Sequence, residues 1–135
     1  MNLTFKAYHK ENKELLDVER IYFSDEIVFL RRETERSTTW FEEDFKNVEI
    51  LQSTGLKDKN GVEIFQGYVV KGHTLINGKN YRIIGKVEYV GTSFKVREIN
   101  KHEGFLEPLN GNFEVLGNIY EDKEFSGDEQ NGNKV

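Results

Sequence analysis

The residues that could do chemistry in this chain are few, and their spacing argues against catalysis. There is no cysteine, which removes disulfides, thiolate nucleophiles, zinc ribbons and iron–sulfur clusters together. The three histidines are His9, His73 and His102. None sits in an HExxH helix or beside a second histidine at ligand spacing, so each reads as a surface or turn residue. No Gly-x-Ser-x-Gly elbow activates a serine. The run Glu42-Glu43-Asp44 could supply paired carboxylates for hydrolysis. Adjacent acids on one short segment more often make a solvated face at a helix start. Asp58-Lys59-Asn60-Gly61 opens like a calcium loop, but that loop needs glycine at its sixth position and a bidentate glutamate at its twelfth. Here glycine is fourth, and Val69 stands twelfth. The Gly55 to Gly61 spacing lacks the Lys-Ser/Thr that completes a phosphate-binding loop. Both stretches read as a turn. No catalytic residue, metal or cofactor is expected, and the chain is read as a non-enzyme.

Charge offers a better lead. Lys and Arg total 19 and Asp and Glu 24, a net charge of −5, which argues against a dedicated duplex-DNA binder. The middle of the chain is different: residues 55–120 hold 9 basic and 7 acidic side chains. If Gly91-Thr92 is a two-residue hairpin loop, Tyr89 faces Phe94 and Val87 faces Val96 on an inner side. The same register sets Glu88 against Lys95 and Lys86 against Arg97 on the outer side. Carrying it through Asn77-Gly78 brings His73 opposite Arg82. Arg82, Lys86, Lys95 and Arg97 are therefore the candidate site for an anionic partner. The plainer reading is that these cations guard a strand edge against aggregation, with Glu88 and Glu98 interrupting them.

The elements that would position these groups are strands. One Ala and one Met stand against 27 Val, Ile and Thr and 17 aromatic residues, so strand formers dominate and strong helix formers are scarce. Leu3, Phe5 and Ala7 alternate with polar partners as a first strand. Ser24-Asp25-Glu26 is expected to close a hairpin pairing Phe23 with Ile27, Ile21 with Phe29 and Glu19 with Arg31. Thr39-Trp40-Phe41-Glu42 fits a capping box and a short helical turn, unless Trp40 and Phe41 continue a strand. Val48 to Leu51 returns as a strand. The run Thr54 to Gly61 punctuates the chain, and its Asn-Gly supplies the positive φ of a tight turn. Strands are then expected at Tyr68–Ile76, Tyr81–Val90, Ser93–Ile99 and Phe113–Tyr120, with glycine turns between them, as in a small barrel. From Glu121 onward the chain is acidic and reads as disordered. No apolar run approaches the ~20 residues that span a bilayer, and the N-terminus lacks a signal-peptide core. A cytoplasmic location is expected, with no membrane partner.

The run Thr54-Gly55-Leu56-Lys57-Asp58-Lys59-Asn60-Gly61-Val62-Glu63-Ile64-Phe65-Gln66-Gly67 closely resembles the signature of the YopX family. Phe113-Glu114-Val115-Leu116-Gly117-Asn118-Ile119-Tyr120-Glu121 is similar to that family's C-terminal motif. The opening Phe5-Lys6-Ala7-Tyr8-His9-Lys10-Glu11-Asn12-Lys13 resembles its start. The likeness covers most of residues 3–121. It implies a small phage or prophage product of a mostly Gram-positive host, with a β-rich N-terminal lobe joined to an SH3-like barrel and no assigned enzymatic activity. One departure is Gly67-Tyr68, where relatives usually carry Gly-Asp.

The expectation is a mainly-β chain: an N-terminal antiparallel β lobe over 1–53 with at most a short helix, a connecting turn over 54–61, an SH3-like barrel over 62–121 and an acidic tail over 122–135. It is expected to bind a host or phage protein. The alternatives are a homo-oligomeric assembly role, or weak nucleic-acid binding through the basic barrel face.

Overall fold

The computed structural model describes residues 4–99 and 105–125. Leu3, His102 and the tail from 126 onward lie outside the described residues. Eleven strands follow in chain order: β1 Phe5–His9, β2 Glu14–Tyr22, β3 Ile27–Glu33, β4 Thr38–Asp44, β5 Val48–Lys57, β6 Glu63–Phe65, β7 Tyr68–Ile76, β8 Lys79–Val90, β9 Ser93–Glu98, β10 Leu106–Pro108 and β11 Glu114–Asn118. Two 3-10 turns complete the set, at Phe45–Asn47 and Lys123–Phe125. The second takes up residues assigned from sequence to the tail. The chain divides into two compact units between Gln52 and Ser53.

The first unit is an antiparallel sheet in the order β4-β3-β2-β1-β5. Alternation along β1 to β3 puts Ala7, Leu16, Val28 and Leu30 on one face, where Val48 joins them and Ile21, Phe41 and Ile50 pack against the cluster. The β2–β3 hairpin departs from expectation. Tyr22 pairs with Ile27, Ile21 with Val28 and Arg20 with Phe29. The loop is four residues long, closed by the Glu26 N–H donating to the Phe23 carbonyl at 3.2 Å, with Glu26 at φ 55°. Such a one-residue slip swaps the faces of a strand. A bulge between Val18 and Arg20 shifts the pairing by one residue more, so that Val18 faces Leu30 and Asp17, not Glu19, faces Arg31. Phe23 is left 74% exposed. The capping-box segment is likewise a strand, because pairing of Phe41 with Leu30 and Trp40 with Arg31 outweighs the local helical signal.

β5 runs on through Thr54 to Lys57, so the expected turn starts later. In the second unit β6 pairs with this stretch, Ser53 opposite Phe65 and Lys57 opposite Glu63. A five-stranded antiparallel sheet follows in the order β10-β9-β8-β7-β11. Asn77 and Gly78, at φ 52° and 79°, make the tight β7–β8 turn. Val69, Val70, Ile83, Val87, Val96 and Phe113 are buried in this unit. The expected strand pairs hold, with Val87 opposite Val96 and Tyr89 opposite Phe94. Tyr89 is nonetheless exposed, because the apolar face ends before the hairpin tip. Among the described residues no pairing joins β10 to β11, so the expected barrel closure is not found.

Candidate functional site

The turn after β5 is built around one carboxylate. Asp58 is buried, and its Oδ1 accepts the N–H groups of Asn60 (2.8 Å) and Val62 (2.9 Å), while Oδ2 accepts that of Val115 (2.8 Å). Burial opposes its ionisation, yet the donors of Val115, Val62 and Asn60 hold it below the ordinary aspartate range. The Lys59 N–H also donates to the Phe113 carbonyl at 3.0 Å. Asp58 thus ties the turn to the start of β11, and its role is to bind backbone rather than a cation.

Directly opposed strand residues share a face, so the outer face of the five-stranded sheet can be read in rows. Glu114, Lys71 and Ile84 form one row, and His73 with Arg82 the next. Lys86 faces Arg97, and Glu88 faces Lys95. All four candidate cations lie on this face, but they are not one cluster. Glu88 reaches Arg97 Nε at 2.8 Å and Lys86 Nζ at 3.5 Å, so one carboxylate lies between those two opposed cations. Arg82 stands apart from them. It lines a recess of about 280 Å³ together with Lys59, Lys71, Gly72, His73 and Asn112. Lys59 and Lys71 each approach Glu114 at 3.8 Å. Arg82 and His73 have no ion pair among the described residues. The β7–β8 register was enough to place His73 by Arg82. Nothing in the sequence signals that Lys59 and Asn112 arrive at the same recess, because both come from irregular segments.

In the first unit His9 is buried at the end of β1, not at the surface as its isolation in sequence suggests. Its Nε2 lies 2.7 Å from Glu43 Oε2, and its Nδ1 accepts the Asn12 N–H at 3.1 Å. Glu43 also accepts from the Asn47 amide at 2.7 Å. The bonds from Asn47 and then His9 hold its carboxyl below the usual range. The pair resembles half of a hydrolytic triad. However, both ring nitrogens are engaged within the fold, which leaves none to take a proton from a nucleophile. The acidic run Glu42-Glu43-Asp44 is therefore divided by the strand: Glu43 turns inward to His9, and Glu42 and Asp44 are exposed.

Among the described residues β4 ends the sheet of this unit, paired with β3 on one side alone. Its Thr38, Thr39 and Trp40 are exposed, the indole by 52%. Among the described residues no group of three or more His, Asp or Glu side chains is placed to hold a metal ion, and no helix is long and apolar enough to cross a membrane.

The family model described as YopX protein matches residues 4–125 of this chain. No curated protein matches it. Among solved structures, protein EF1440 from Enterococcus faecalis is similar, with a TM-score of 0.59 and 24% identity over 92% of this chain and 97% of that one. At that identity the likeness concerns the fold alone.

Proposed function

The chain belongs to the YopX family, and we propose that it acts without catalysis, by binding a host or phage protein along the open edge of β4. The observation that carries this reading is Trp40, an indole left half-exposed on a strand whose outer side has no partner among the described residues. An unpaired strand edge is a template for another strand, and a large aromatic beside it supplies apolar area for specificity. The exposed carboxylates of Glu42 and Asp44 favour an extended segment with basic and apolar residues. They disfavour a second copy of the same acidic edge. A phage or prophage origin and a bacterial cytoplasmic setting are part of this proposal and rest on the family resemblance. The nucleic-acid alternative is weakened by Glu88, which takes up both Lys86 and Arg97.

The test compares capture from a host lysate by wild type, Trp40→Ala and Phe23→Ala. Phe23 is the more exposed residue but sits in a loop, not on the edge. The reading expects one discrete partner retained by wild type and Phe23→Ala and lost by Trp40→Ala. Equal capture by all three, or equal loss in both variants, would contradict it.

A further inference from the structure

We infer that the recess between β7, β8 and the turn after β5 is a binding site for a phosphate group, independent of the β4 edge. Four separate segments converge on it. Lys59 comes from the turn, Lys71 and His73 from β7, Arg82 from β8, and Asn112 from the connection before β11. Lys59, Lys71 and Arg82 bring three positive charges, and Glu114 beside the two lysines returns one negative charge. The remainder of two suits a phosphate monoester, which carries between one and a half and two negative charges at neutral pH. The guanidinium fork of Arg82 matches oxygen pairs on such a group, and the lysines and the Asn112 amide add single donors.

The contrast within one sheet strengthens the assignment. Opposed cations destabilise a strand pair. At Lys86 and Arg97 the opposition is relieved by Glu88, within 3.5 Å and 2.8 Å. Arg82, which stands opposite His73, has no acid partner among the described residues. Lys86 and Arg97 thus share an acid, and Lys59 and Lys71 share Glu114, whereas Arg82 in the recess has none. Among the described residues the recess lining holds no Phe, Tyr or Trp. Its planar groups are the His73 imidazole and the Arg82 guanidinium, and its charge makes the phosphate the group that recognition rests on.

The full chain, labelled with nitrogen-15, is titrated at fixed ionic strength with inorganic phosphate, adenosine 5′-monophosphate and adenosine. Saturable shifts are expected at Lys59, Lys71–His73, Arg82 and Asn112 with both phosphate compounds, and none with adenosine. Arg82→Ala is expected to weaken phosphate binding about tenfold, the loss of a charge-assisted bond, while Lys95→Ala changes it little. Tighter binding of the nucleotide than of inorganic phosphate would show that the attached group also makes contact; equal affinity would show that phosphate alone is read. Three results would each overturn the inference. These are shifts with adenosine matching those with the nucleotide, no saturable shift with phosphate, and equal weakening by Lys95→Ala and Arg82→Ala. The last would mean that the whole basic face screens anions without a site. Arg82 and Lys95 are not part of the apolar core, so both variants are expected to fold.

Discussion

At the scale of single residues, the buried carboxylate of Asp58 is the most consequential polar group. Replacing it by Asn leaves one oxygen where two accepted three backbone donors. At least one N–H then faces an amide donor, and about 1–3 kcal/mol of stability is expected to be lost at neutral pH. The pH dependence follows from the lowered native value. The unfolded chain takes up the proton first, near pH 3.9. The contribution is therefore complete above that point and is lost as pH falls through the native value. Urea unfolding from pH 7 to pH 3 checks this: the gap between wild type and Asp58→Asn is expected to narrow below about pH 4. A gap independent of pH would mean that shape, not charge, is what Asn fails to reproduce. His9 teaches the complementary lesson. A histidine beside a glutamate suggests a base, but its second nitrogen already accepts a backbone N–H. Only the full set of bonds separates a structural pair from a catalytic one.

At the scale of elements, register decides what the cations can reach. At Gly85, on β8 beside β9, an added Cβ would stand 2.5 Å from the Arg97 carbonyl oxygen and 2.6 Å from a Val96 methyl. Gly85→Ala must push the two strands apart, and a loss of about 1–3 kcal/mol is expected in denaturant unfolding. A change below about 0.5 kcal/mol would mean that the pair is looser than described. The pairs across this hairpin were legible from sequence, because Gly91-Thr92 and Asn77-Gly78 fix both ends of β8 and leave one register that buries Val87 and Val96. The β2–β3 hairpin was not. Its Ser24-Asp25-Glu26 carries no glycine to mark the positive φ, which falls on Glu26, and the bulge that shifts the register further has no signature of its own. The strand identity of β4 depends on its pairing with β3, and local propensity alone cannot decide it. The recess depends on two irregular segments meeting a regular sheet, and for that reason only its His73 and Arg82 were foreseeable.

At the scale of the molecule, the account rests on an edge of β4 that is open to a foreign strand. Two copies joined along that edge would bring four exposed carboxylates together, from Glu42 and Asp44 of each. Salt would relieve that repulsion, so any self-association through β4 should grow with ionic strength. The direct measurement is the mass of the purified protein by light scattering at low and high salt, for wild type and Trp40→Ala. The account predicts a particle of the 15.8 kDa chain mass in all four conditions. A discrete multimer of the wild type that Trp40→Ala returns to monomer would contradict it, because the edge would then already be filled by a second copy of the chain.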